Sequence, residues 1–189
     1  SKIIKISKKL KLKYYCGSED GVQSRFLECG KKFNINHIIR VTSDCPLIDP
    51  KLIEQGIQIY KKNNVDYLSN ANKRSFPDGM DYEIFSFSAL KKSRKLFKTK
   101  LDREHVTISM RKSKKFSKIN VYASKNLYWP KLGLTLDELE DFHLINKIVN
   151  FFKLRKKLNF SCEDIILLLK NKKKWIEINK KVKRRWINI

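Results

Sequence analysis

Apolar residues recur along the chain at two spacings, and their alternation sketches an architecture. Ile3, Ile6 and Leu10 share one face of a helix over residues 2–11. Lys13 to Cys16 reads as a short strand stopped by Gly17. Asp20 is placed to cap a helix from Val22 to about Phe33, with Val22, Phe26 and Cys29 inward. The β-branched run His37 to Thr42 reads as a buried strand, and the Asp- and Pro-rich stretch 43–50 as the loop after it. A helix from Lys51 to about Asn63 carries Leu52, Ile53, Ile57 and Tyr60 on its apolar face. Tyr67 to Ser69 is a further short strand. Strand, helix, strand, helix, strand is the order of an open α/β sheet. Ligands of such sheets sit beyond the carboxyl ends of the strands, where the loop 43–50 and the stretch after Ser69 lie.

The pattern continues with a turn at Phe76–Gly79 and then alternation. Asp81 and Glu83 point one way; Met80, Tyr82 and Ile84 point the other. Ser88 is expected to cap a helix to about Phe97, and Asp102 a helix through Met110. Lys118–Tyr122 and Gly133–Asp137 read as strands. Glu138 to about Phe152 and Cys162 to Asn171 read as helices. Residues 172–189 form a basic tail with Trp175, Ile178, Val182 and Trp186 at helical spacing. The expected division is a body over residues 1–152 and a basic helical extension over 153–189 packed on it.

Composition narrows the class. The chain has 189 residues, 41% hydrophobic and 11% aromatic, which excludes global disorder. Its longest wholly apolar run, Ile165 to Leu169, is far too short to span a bilayer. The basic start is punctuated by Lys2, Lys5, Lys8 and Lys9, unlike a signal peptide. A soluble, cytoplasmic, globular protein with no membrane partner is the expectation. Cys16, Cys29, Cys45 and Cys162 form no CxxC pair, so free thiols are expected. Lys plus Arg total 43 against 19 acids, a net charge of +24. The excess divides as +14 over residues 1–150 and +10 over residues 151–189. It is either an electrostatic footprint for a polyanion or a solvated Lys-rich surface. The imbalance of 34 Lys to 9 Arg favours the second, because nucleic-acid readers lean on Arg.

Four groups of residues carry candidate chemistry. Asp44 ends a buried strand at the mouth of the sheet, where a hard cation and phosphates would sit. From the residues alone it reads equally as a helix or turn cap. Asp137 follows a short apolar run and precedes a helix; taken singly it is an N-cap, but two such carboxylates on separate loops can hold Mg²⁺ together with substrate phosphates. Asp81 and Glu83 share a strand face and suit either sugar hydroxyls or solvent. Arg103 and His105 suit an anionic group or an ordinary surface.

In order, RVTSDCPLIDP (40–50), NNVDYLSN (63–70), FPDGMDYEIFSFSAL (76–90), REHVT (103–107) and LTLDELEDF (134–142) together resemble one family. It is the cytidylyltransferases of the spore-coat-polysaccharide type, relatives of CMP-Kdo and CMP-acylneuraminate synthetases. EDIILLL (163–169) and INKKVKRR (178–185) also look like that family's C-terminus. The resemblance implies a nucleotide-diphosphosugar-transferase-like, Rossmann-like α/β fold with a mixed sheet flanked by helices. It implies attack of a sugar hydroxyl on the α-phosphate of CTP, with loss of diphosphate and Mg²⁺ as cofactor, for surface-polysaccharide synthesis. CTP and a sugar or sugar acid are the implied partners, and a homodimer through the segment after the sugar strand is an implied option. By matching positions, Asp44 and Asp137 would be the catalytic metal carboxylates. Asp81, Glu83, Arg103 and His105 would line the acceptor-sugar side. Arg40 and Asn70 would lie at the strand ends, and Asp78 and Gly79 would shape the loop before the sugar strand.

Two departures stand out. The family's opening strand and Gly-Ser-x-Arg…Lys loop, which wraps the triphosphate, have no counterpart here. The expectation is therefore an N-terminally incomplete domain that binds CTP poorly as it stands. Ile108-Ser109 follows REHVT where the family usually has Pro. The competing class is a basic RNA- or polyanion-binding module, resting on the Lys/Trp tail, or a non-catalytic remnant. A nucleic-acid partner is disfavoured because Trp175 and Trp186 return to one helical face.

Overall fold

In the computed structural model, which describes residues 1–19, 21–96 and 105–184, helices start where short polar side chains meet amphipathic runs. The helices are α1 (Lys2–Lys9), α2 (Val22–Lys32), α3 (Pro50–Asn63), α4 (Phe87–Arg94), α5 (Ile108–Lys112), α6 (Leu139–Leu154), α7 (Cys162–Asn171) and α8 (Lys173–Ile176). The strands are β1 (His37–Arg40), β2 (Tyr67–Ser69), β3 (Glu83–Ser86) and β4 (Lys118–Asn120). They form one mixed sheet in the order β1-β3-β2-β4. β2 runs antiparallel to β3, setting Leu68 opposite Ile84, and parallel to β4, setting Leu68 opposite Ile119. Every residue of β2 is buried, as in a strand covered on both faces. The α/β class read from the pattern is the class observed. No helix among the described residues is long and apolar enough to cross a membrane.

The chain divides into two compact units, residues 1–38 with 86–115, and residues 39–85 with 116–189. In the first, α2 buries Gln23, Leu27 and Gly30 rather than the Val22, Phe26 and Cys29 face expected. The phase differs because the buried polar residue is satisfied: Gln23 donates to Ser93 Oγ at 3.1 Å. Hydrophobic spacing cannot see a buried Gln. Ser86, not Ser88, caps α4, accepting from the N–H of Ala89 at 3.0 Å. Lys13 to Cys16 forms no strand. The expected caps Asp20 and Asp102, and Trp186 of the tail, lie outside the described residues.

The second unit holds the main core, in which Leu68, Met80, Tyr82, Ile84, Leu132, Leu134, Leu144, Ile148, Ile165 and Leu169 are buried. Each contributes on the order of 1.5–3 kcal/mol by leaving water. Trp175 packs against this core and meets Phe151 edge-on at 6.1 Å. The expected strand 133–137 is instead extended chain with a single parallel bridge, Gly133 to Asp78. Among the described residues of the tail 172–189, helix is confined to α8. α3 begins at Asp49, whose carboxylate accepts from Lys51 N–H at 2.9 Å, with Pro50 in the first turn, where a missing N–H costs nothing. The other oxygen of Asp49 accepts from Cys162 N–H at 2.8 Å, so one buried carboxylate ties the starts of α3 and α7. Asp49→Ala removes a cap and orphans a buried N–H. Chemical denaturation should show a loss of about 2–4 kcal/mol of stability.

Candidate active site

The loops after β1 and before α6 meet where the chain needs caps, and the caps come from neighbouring residues. Asp49 caps α3. At the start of α6, Asp141 accepts from the N–H groups of Glu138 at 3.1 Å and Asp137 at 3.2 Å, and the N-cap is Glu138. Neither Asp44 nor Asp137 has that task. The two loops are stitched by the Leu136 N–H donating to the Asp44 carbonyl at 2.8 Å. Both carboxylates line one open cleft of about 380 Å³, together with Thr42, Cys45, Arg74, Asp78, Asp81, Thr135, Glu138, Lys183 and Arg184.

The cleft's charge opposes that of the chain. Among the described residues, five acidic side chains line it against three basic ones, in a protein carrying +24 overall. Arg74 is committed to two of the acids, at 2.8 Å from Asp78 and 3.0 Å from Asp81. Gly79, at φ 101°, makes the turn between those acids; a Cβ there would stand 2.6 Å from the Leu134 backbone. Burial pushes the Asp81 carboxyl up to about 6, with Arg74 opposing and Asp78 and Glu83 adding to the rise. Burial likewise pushes the Cys45 thiol up to about 12, so it stays protonated and serves as filling. Arg184 grips Asp141 with both nitrogens, at 2.6 and 3.0 Å, and donates to Thr135 Oγ1 at 2.9 Å. Its guanidinium lies 3.6 Å from Asp137. Burial raises the Asp141 carboxyl, but hydrogen bonds from Arg184, Asn179 and the backbone outweigh it and hold the group below the usual carboxylate range.

Of the residues singled out in the sequence, Asp44, Asp78, Asp81 and Asp137 come together in this cleft, with Gly79 at its turn. Arg40, Asn70 and Glu83 do not line it. Glu83 pairs with Arg40 and accepts from the Tyr67 hydroxyl, both at 2.5 Å. Asn70 is buried and braces the chain, donating to the Met80 carbonyl at 2.7 Å and accepting from Tyr82 N–H at 2.9 Å. His105 belongs to the other unit, and Arg103 lies outside the described residues. Arg74, Lys183, Arg184 and Asp141 were not singled out. Arg74 was detectable as the i,i+4 partner of Asp78; the reach of residues 183 and 184 into the cleft needs the tertiary path of the tail.

The raised Asp81 carboxyl makes the folded state bind a proton more tightly than the unfolded chain, whose value is near 3.8. Its contribution to stability is present below about pH 4 and lost as pH rises through about 6. Asp81→Asn should flatten that descent relative to the wild type when unfolding is measured across this window.

Comparison with known proteins converges on one group. A family model described as cytidylyltransferase matches residues 6–174. An uncharacterized protein of Methanocaldococcus jannaschii, MJ1063, is 31% identical over 185 residues, covering 97% of this chain and 73% of its own. The spore coat polysaccharide biosynthesis protein SpsF of Bacillus subtilis is 27% identical over 155 residues, covering 81% of this chain and 62% of its own. The solved structure of a cytidylyltransferase from Leptospira borgpetersenii superposes with a TM-score of 0.86 at 28% identity, over 98% of this chain and 76% of that one. With that match spanning both cleft loops, the chain belongs to the cytidylyltransferase family, a family of nucleotidyltransferase enzymes.

Proposed function

We propose that this protein activates a sugar or sugar acid as its CMP derivative, using CTP, in the synthesis of a surface polysaccharide. The observation that carries the reading is the acid-rich cleft in a strongly basic chain of this family, with Asp44 and Asp137 freed from capping and facing it from adjacent loops. The relative named for spore coat polysaccharide biosynthesis supports the sugar class. In the reaction a sugar hydroxyl oxygen bonds to the α-phosphorus of CTP and its proton is released to solvent. The bond from that phosphorus to the bridging oxygen breaks, and diphosphate leaves with the electron pair.

The donor set suits Mg²⁺, since Asp44 and Asp137 offer hard carboxylate oxygens and the cleft has room for phosphates and water beside them. Bound there, the ion would neutralise charge gathering on the phosphate oxygens. Asp137 is held on the α6 capping turn and Asp44 on the stitched loop after β1, so both carboxylates are pre-positioned. Asp81, ionised above about pH 6, accepts the hydrogen bond of the attacking hydroxyl, and Arg74 fixes its orientation.

Asp44→Asn and Asp137→Asn should each lower Mg²⁺-dependent release of diphosphate from CTP and acceptor by about 100-fold or more, with circular dichroism unchanged. Full turnover in either variant would remove that residue from the metal assignment.

A further inference from the structure

The cationic side of the cleft comes largely from the last described turn of the chain, beyond the stretch that the family model matches. Among the described residues, three basic side chains line the cleft. Arg74 is neutralised by Asp78 and Asp81, and Arg184 by Asp141. Lys183, exposed at the cleft wall, has no carboxylate partner among the described residues. It is the cleft cation left available to an anion. We infer that Lys183 is a binding residue for the phosphates of the nucleotide, and that Arg184 is the positioning residue that puts it there. The inference rests on the nucleotidyltransferase reading of this cleft and adds a residue pair to it.

The geometry explains why a mobile-looking lysine should have a fixed origin. Arg184 is anchored by its fork on Asp141, whose side chain is fully buried, and by Thr135 at the base of the cleft. Asn179 donates to the other face of the same carboxylate at 2.7 Å and to the Gly133 carbonyl at 2.9 Å. The backbone from 179 to 184 is thus pinned at both ends on the loop that carries Asp137. Lys183 sits between the pins, next to Arg184 in sequence, and lines the cleft wall while remaining exposed. A compact ammonium on a long stem suits phosphate oxygens, whereas Arg184 needs its planar fork for Asp141. An uncompensated phosphate chain beside five acidic side chains would be repelled; Lys183 and the divalent ion together offset that repulsion.

The test is calorimetric titration of the full chain with CTP and with inorganic diphosphate, each with Mg²⁺, at low and high salt. Lys183→Ala should weaken both ligands about tenfold and flatten the loss of affinity with salt. Because Lys183 is exposed, this variant leaves the core intact. Arg184→Lys cannot rebuild the fork and should weaken binding similarly, with Lys183→Ala adding nothing further in the double variant. A merely structural Arg184 would leave the two losses additive, which overturns its positioning role; the melting temperature falls in either case, since Asp141 stays buried. Wild-type affinity and salt dependence in Lys183→Ala would overturn the binding role, whatever becomes of the Arg184 variants. If the wild-type chain itself binds neither ligand, the reading of the cleft fails, and the inference with it; that outcome is told apart because it precedes any substitution.

Discussion

The carboxylate of Asp141 is wholly removed from solvent, and an ionised group there must be compensated or the fold around it opens. Compensation comes from three directions. Arg184 supplies a bidentate fork, Asn179 an amide donor, and the backbone at the head of α6 two N–H groups. Losing one partner of such a pair typically costs about 3–5 kcal/mol, because the other charge stays buried. This one carboxylate fixes the start of α6, the path of the C-terminal segment and the loop carrying Asp137. Asp49 plays the same part at the other side of the cleft, joining α3 to α7. Two buried acids, each shared between distant segments, hold the walls of the site.

Sharing the caps in this way has a chemical consequence. Helix starts usually consume the nearest Asp or Ser. Here α3 and α6 are capped by residues just downstream of the site carboxylates, so Asp44 and Asp137 face the cleft. Local acid excess is then set against a global charge of +24. Acidic side chains gather at the cleft while the chain as a whole is strongly basic, so the local and global fields differ in sign. The two fields act over different distances. Trp175 packs on Phe151 and the core.

Much of the architecture was legible because it rests on short-range rules. The spacing of Leu52 and Tyr60 gives α3, and the β-branched run gives β1, though as a partly exposed edge strand over 37–40 where a buried strand over 37–42 was expected. Where short-range rules failed, long-range contacts had taken over. Gln23 is buried because Ser93, seventy residues away, accepts its proton. Leu134 and Leu136 alternate as in a strand, yet with a single bridge, Gly133 to Asp78, residues 133–137 form none.

The sequence by itself determined the fold class, the family and the aspartates of the cleft, because amphipathic spacing, turn residues and ordered motifs are local properties of the chain. Only the tertiary structure decided which acids face one another. Asp81, which precedes β3, lines the cleft, while Glu83, the first residue of β3, is taken by Arg40 and Tyr67, so the strand face expected to carry both does not form. Likewise Asn70 turned inward to brace the backbone of Met80 and Tyr82. Arg184, read as part of a basic tail, became the partner of a carboxylate 43 positions earlier. A charge pattern records how many charges a segment carries; which of them are paired depends on distances that exist only after the segments have packed.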